Sequence, residues 1–219
     1  MMQSKQSGRA SADDAAAESE GSGEFVRALA KGLAVIECFD SQAPAMTLTD
    51  VAKRVGLSRG TSRRLLHTLV ELGYVGFDGK LFSLKPRVLN LGFAYLYSHN
   101  VWQMAQPYLV DVVEKLHESC SIAVLDGSEI VYVARVPTSE RIMSINLGLG
   151  TRLPAHATSM GRVLLAGQSE VEQKRFIDSI SPLPQYTAKS IVERSALLRE
   201  LQQVRKQGWA LVDQELELG

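Results

Sequence analysis

The sequence predicts an α+β protein in two parts: an N-terminal winged helix-turn-helix, then a helical linker leading to a domain with a central antiparallel sheet. Three observations predict this. Residues 47–84, TLTDVAKRVGLSRGTSRRLLHTLVELGYVGFDGKLFSL, read as a helix, a tight turn, a second helix loaded with arginine, and a short hairpin. Residues 86–118 carry apolar positions at helical spacing. After Cys120 the period changes, and SIAVLDGSEIVYVARV alternates β-branched residues on either side of Asp126-Gly127.

The elements follow in order. Residues 1–24 are Ser, Ala, Gly, Gln and acid with almost no large aliphatic, a composition expected to be disordered. Phe25, Leu29, Leu33, Ile36 and Phe39 recur at helical spacing, so this first helix is expected to pack on the next two; residues 41–44 end it. Thr49 is expected to cap the second helix, with Asp50 in its first turn, where negative charge suits the helix dipole. Val51, Ala52 and Val55 face inward, and Gly56 permits the left-handed residue that closes such a helix. Ser58 caps the third helix. Its inner face is Leu65, Leu66, Leu69 and Val70, its outer face Arg59, Ser62, Arg63 and His67, and Gly73 closes it. Asp78-Gly79 between residues 74–77 and 80–84 is a hairpin signal, which makes this pair the wing and sets Lys80 beside its tip.

Pro86 opens a linker helix whose apolar residues cover more than one face, as suits a helix that also packs on a second subunit. Residues 102–118 form another amphipathic helix. Two strands around Asp126-Gly127 follow, then a third in RIMSINLGLGTRL. Thr158 or Ser159 caps a helix running from about Met160 to Gly167, residues 169–179 and 190–207 are helical, and GWALVD reads as a final strand. The domain organisation is therefore a tail (1–24), a winged helix-turn-helix (25–85), linker helices (86–118) and an effector-type domain (119–219). The chain stops at Leu218-Gly219 in what reads as the middle of a turn, so the sheet is expected to lack its last strands.

Composition narrows the class. The 219 residues are 45% hydrophobic, enough for a core, yet the apolar runs fall far short of the roughly 20 residues that span a bilayer. No signal-peptide pattern opens the chain, and Cys38 and Cys120 form no CxxC pair, which argues against a disulfide framework or a zinc site and for a reducing cytoplasm. The net charge is zero, but it is unevenly spread. Residues 25–99 carry ten bases and five acids, and residues 51–70 hold five bases (Lys53, Arg54, Arg59, Arg63, Arg64) and no acid. Phosphate responds to that local field.

These residues together resemble the IclR family of bacterial transcription regulators over positions 25–219. The helix-turn-helix string is shared by many winged-helix families; GTRLPAHATSMGRVLLAG (150–167) is more specific and resembles the family's effector-domain signature. LVDQELELG resembles the segment that precedes the last core strands of family members. LFSLKPRVLNLGFAYL and RIMSINLGLGTRLPAHATSMGRVLLAG look most like the branch that controls β-ketoadipate and aromatic-acid breakdown (PcaR/PobR-like). The resemblance implies a GAF-like effector domain and a homodimer or tetramer. Ser62 departs from the small apolar residue often seen at its position.

The candidate site residues form two groups. Arg59, Arg63 and His67 recur every four residues and share one helix face, flanked by Gly60, Thr61 and Arg64. An arginine fork can bond guanine O6 and N7 together and discriminates by about 1–3 kcal/mol. Arg59 and Ser62 are placed for bases, Arg64 and Lys80 for phosphate, with Thr49 and Ser58 at the helix starts completing a DNA-binding set. A basic face that is merely solvated is the competing explanation; the preceding helix, the Gly56 turn and the wing weigh against it. The second group is HATSMG at a strand-to-helix turn. Thr158, Ser159, Met160 and Gly161 offer helix N-terminal amides to a carboxylate. Arg135 or Arg141 is expected to pair with the acid, Met143 and Ile145 to wall in a ring or aliphatic body, and His156 to bond a phenolic hydroxyl. A Thr-Ser cap can be only a cap, and a lone histidine is more often structural.

Catalysis is not expected. ATSMG is half of a G-x-S-x-G elbow and lacks its first glycine, Gly148-Leu-Gly150 has no βαβ context, and the four histidines show no metal spacing, so neither metal nor cofactor is expected. The expected function is a ligand-responsive DNA-binding regulator of a catabolic operon, whose partners are double-stranded operator DNA, a small carboxylate effector and a second copy of itself, with no membrane. The alternatives are a small-molecule-binding module whose winged helix contacts protein, or a related regulator of another pathway such as glyoxylate metabolism.

Overall fold

The computed structural model describes residues 24–98, 101–138 and 147–218. They form two compact units, one ending at Phe93 and the other beginning at Ala94.

The first unit is a three-helix core with a small sheet. Helix α1 (Arg27–Glu37) is followed by strand β1 (Ala45–Met46), α2 (Leu48–Arg54), α3 (Arg59–Glu71) and the wing strands β2 (Val75–Phe77) and β3 (Phe82–Leu84). The sheet order is β1-β3-β2, all antiparallel, with Met46 and Phe77 both opposite Phe82. Val35, Val51, Leu66, Leu69, Val75 and Phe82 fill the core. Each fully buried aliphatic side chain there contributes about 1.5–3 kcal/mol.

Two expectations change in this unit. The expected stripe is buried only at its C-terminal end: Ile36 and Phe39 reach the core, joined by Val35 and Cys38, while Phe25, Leu29 and Leu33 stay exposed, Leu29 at 62%. The helix is apolar on several sides, so spacing alone did not choose between faces. The N-cap of α2 is Thr47, not Thr49. Thr47 Oγ1 accepts the Asp50 amide at 3.3 Å while Asp50 Oδ2 accepts the Thr47 amide at 3.3 Å and the Thr47 hydroxyl at 2.6 Å. That capping box puts the cap three residues before the acid, and Thr49 lies within the helix. Donation from the Thr47 hydroxyl, then from its backbone, holds the Asp50 carboxyl below its ordinary value.

Gly56 sits at φ +66, and the Leu57 amide reaches back to the Ala52 carbonyl at 3.0 Å, which closes α2 in a Schellman turn and starts α3 at once.

A 3₁₀ turn at Pro86–Val88 leads into α4 (Leu89–Ser98), which crosses from one unit to the other. In the second unit α5 (Val101–Leu116) packs on β4 (Cys120–Asp126) and β5 (Glu129–Val136), an antiparallel hairpin turning at residues 127–128. Strand β6 (Arg152–Pro154) adds to β5, in the order β4-β5-β6. Of the expected third strand, residues 141–146 lie outside the described residues. Helices α6 (Ser159–Gly167), α7 (Glu170–Ser179) and α8 (Arg194–Gln207) complete the unit, and Leu165, Ile177, Leu197 and Leu201 form its core with Ile130 of the sheet.

GWALVD forms no strand. Alternation makes a strand only where a neighbouring ladder receives it, and among the described residues none pairs with this run. Side-chain bonds anchor the residues just beyond it: Thr187 Oγ1 donates to the Gln214 carbonyl and Ser190 Oγ to the Glu215 carbonyl, each at 2.6 Å. No helix among the described residues is long and apolar enough to cross a membrane.

Candidate nucleic-acid interface and effector cleft

Helix α3 is started by Ser58, whose Oγ accepts the Thr61 amide at 3.2 Å and donates to Thr61 Oγ1 at 3.0 Å. With its first turn fixed, the helix turns Leu66 and Leu69 into the core and Arg59, Gly60, Arg63, Arg64 and His67 outward, with Thr61 half-buried. Among the described residues, Arg59, Arg63, Arg64 and Lys80 form no ion pair. Arg54 differs, being held by Asp40. Four cations are thus left to meet an outside anion.

His67 does a second job. Its ring meets Phe77 and Phe82 edge-on, each at 6.2 Å, and those two rings stack at 4.4 Å, so His67 ties α3 to the wing. At the wing tip Asp78 accepts the amides of Lys80 at 2.9 Å and Leu81 at 2.8 Å. The Leu81 amide, then that of Lys80, keeps the Asp78 carboxyl below its ordinary value. Lys80 beside it is exposed. Thr49 is half-buried on α2.

Ser62 is corrected. It is 0% exposed, and its hydroxyl has no hydrogen-bond partner. Positions 62, 66 and 69 are four and three residues apart, so Ser62 shares the face that Leu66 and Leu69 bury, not the face of 59, 63 and 67. Ser62 therefore cannot reach a base. An unsatisfied buried hydroxyl costs about 1–3 kcal/mol, so Ser62→Ala is expected to stabilise the first unit by about 1 kcal/mol. A higher urea midpoint with DNA affinity unchanged is the expected result.

In the second unit, a cleft of about 360 Å³ lies between residues 121–123 of β4, the first turns of α6 (Ser159, Met160, Val163, Leu164) and residues 208–210. Ser159 and Met160 line it. Thr158 is the cap: its Oγ1 accepts the Gly161 amide at 3.3 Å and donates to the Pro154 carbonyl at 3.1 Å. The amide of Gly161 is therefore already engaged, and Ser159 and Met160 carry the open ones. Gly161 serves by having no side chain, since a Cβ there would lie 2.1 Å from the Ala155 carbonyl oxygen.

Arg135 donates to Ser121 Oγ at 3.0 Å, and so reaches the cleft through a residue that lines it. Arg141, Met143 and Ile145 lie outside the described residues. His156 is not brought to this cleft. It belongs to the buried 3₁₀ turn Ala155–Ala157, is 3% exposed, and its ring lies 5.8 Å from that of Tyr186.

Burial holds the His156 imidazole below its ordinary pKa of 6.5; the Pro184 backbone opposes this, Arg162 adds to it and Glu215 opposes it. A base whose folded pKa is depressed contributes stability that is full above the unfolded pKa. As pH falls below about 6.5 the unfolded chain takes up the proton first, so stability declines. The melting temperature of the second unit is expected to drop from pH 7 to pH 5.5, and His156→Phe should flatten that slope.

Sequence reasoning missed Arg162 and Glu215, which form the most buried ion pair among the described residues of the second unit, and missed Trp209, Ser121 and Val163 in the cleft. The one available signal was an arginine inside the otherwise apolar run GRVLLAG. Among the described residues no cluster of ligands fits a metal ion.

Residues 28–79 match the IclR helix-turn-helix domain, and residues 93–219 match the family model described as bacterial transcriptional regulator IclR C-terminal. The chain is 43% identical over 199 residues to the Pca regulon regulatory protein of Pseudomonas putida, covering 91% of this chain and 68% of that protein. It is 38% identical over 200 residues to the p-hydroxybenzoate hydroxylase transcriptional activator of Acinetobacter baylyi, covering 90% and 73%. Among solved structures, an IclR homolog from Microbacterium hydrocarbonoxydans complexed with 4-hydroxybenzoate superposes with a TM-score of 0.74 at 26% identity, over 87% of this chain and 78% of that one.

Proposed function

The chain belongs to the IclR family of bacterial transcriptional regulators, and we propose that it controls a catabolic operon for aromatic acids in the cytoplasm, releasing or engaging operator DNA when a small aromatic carboxylate binds. The observation that carries the reading is the outward face of α3, where Arg59, Arg63 and Arg64 stand exposed and without carboxylate partners among the described residues. Arg59, nearest the helix start, reads bases; Arg63, Arg64 and Lys80 hold phosphates; Ser58, Gly60, Thr61, His67 and Thr49 shape the surface that carries them.

In the cleft, the Ser159 and Met160 amides take the carboxylate, with Arg135 acting through Ser121, and Met160, Val163 and Trp209 enclose the ring. The 4-hydroxybenzoate held by the Microbacterium homolog and the names of the two relatives support this ligand class. Exposed apolar residues on α1 (Leu29, Leu33) and α4 (Leu89, Leu91) support self-association, which would space two recognition helices by about one turn of the duplex. Nothing in the reading calls for catalysis.

The test is a thermal melt of the full chain with 4-hydroxybenzoate, protocatechuate, β-ketoadipate and glyoxylate, paired with a gel shift on its own upstream DNA. One of the first three should raise the melting temperature and change the shift. A rise with glyoxylate alone overturns the aromatic-acid reading.

A further inference from the structure

Arg162 is 1% exposed and is the bulkiest fully buried side chain among the described residues. It sits in α6, one residue past Gly161. Its guanidinium is engaged on two sides. Nε donates to the His156 carbonyl at 2.9 Å, which fixes the turn that leads into α6. The two terminal nitrogens grip Glu215 in a fork, at 2.8 Å to Oε1 and 2.5 Å to Oε2, with Glu200 at 3.7 Å. Glu215 in turn accepts the Ile191 amide at 3.2 Å. It is thereby tied both to α6 and to the loop before α8.

Arg162 is on the helix whose first turn forms one wall of the cleft, and Glu215 lies five residues beyond Ala210, which ends the facing wall. Neither residue lines the cleft. A buried ion pair seldom adds stability over apolar residues of equal size, so stability alone is a weak reason for this one. Residues 208–210 belong to no strand, and Arg162 is the one buried cation that fastens their segment to α6 among the described residues. The outer clip, Lys189 to Asp213 at 2.6 Å, is exposed.

We propose that the Arg162–Glu215 pair is a positioning clasp: it sets the distance between the two walls of the cleft and so governs effector affinity without touching the ligand. This rests on the cleft being the effector site.

The test uses the full chain with 4-hydroxybenzoate as probe, read by isothermal titration and by amide hydrogen exchange. Glu215→Gln keeps the side-chain shape and removes the charge. It should weaken binding about tenfold or more, as a site with a loosened supporting shell does. Exchange should rise together in residues 208–216 and in the first turn of α6. Ile177→Val, which weakens the same core away from both walls, and Lys189→Ala, which cuts the exposed clip, should leave affinity within about twofold of wild type. An affinity within about twofold for Glu215→Gln, with residues 208–216 freed, overturns the clasp. So does unchanged exchange at either wall. If Glu215→Gln lacks native circular dichroism, Arg162→Lys, which keeps the charge and loses the fork, is read by the same criteria. If wild type itself takes up no 4-hydroxybenzoate, the ligand reading fails on its own, and paired or unpaired loosening of the two walls still decides for or against the clasp.

Discussion

Arg162→Met is expected to destabilise the second unit by about 3–5 kcal/mol, because it leaves the Glu215 carboxylate buried without its counter-charge. Against a typical total of about 5–15 kcal/mol, that loss takes a large share of the fold. The chemistry makes a sharper demand on the double variant. Replacing both partners with apolar residues of similar size removes the uncompensated charge, so Arg162→Met with Glu215→Leu should recover most of the loss. Urea denaturation of the wild type, the single and the double variant measures this. A double variant as unstable as the single one would mean that the side chains act through packing and not through charge.

Neutralising Arg59, Arg63 and Arg64 together to Gln should lower operator affinity by about 10²–10³ near 0.1 M salt, and reduce the slope of log affinity against log salt by about 2 per recognition helix, for the phosphate contacts of Arg63 and Arg64. Those residues are exposed and form no ion pair among the described residues, so the melting temperature should move little. The decision turns on the slope. A uniform loss of affinity with an unchanged slope would say that the arginines act through the shape of the helix and not through phosphate. Within the set, Arg59→Ala should weaken the specific site more than random DNA, while Lys80→Ala should weaken both alike.

What was legible in the sequence was local. Gly56 between two helices, Asp78-Gly79 and Asp126-Gly127 between apolar runs, and Arg59, Arg63 and His67 four residues apart each signal within a few residues, and the structure has turns at the three glycines and the three side chains exposed on α3. Where neighbouring positions compete, short-range reading failed. Ser62 is a polar residue next to Arg63, yet one step along a helix turns a side chain by about 100°, enough to bury it. Thr47 and Thr49 are both acceptable caps, and only the reach of the Asp50 carboxylate selects Thr47. GWALVD alternates like a strand but has no ladder to join among the described residues.

The clasp was illegible for a different reason. Arg162 and Glu215 are 53 residues apart, and nothing near either names the other. The cleft shares this property, since its walls come from residues 121–123, from Ser159, Met160, Val163 and Leu164, and from residues 208–210. The helix N-terminus at Thr158 was readable because capping is a three-residue signal; what faces it was not.

The most direct measurement is a fluorescence-anisotropy titration of the full chain on its own upstream DNA and on a scrambled duplex, at one stated salt concentration, for wild type and Arg59→Ala. Wild type is expected to prefer the upstream DNA, and Arg59→Ala to erase most of that preference while still binding both duplexes. Equal affinity of wild type for the two duplexes, or a preference that survives Arg59→Ala intact, would contradict an outward arginine face on α3 as the part that reads DNA.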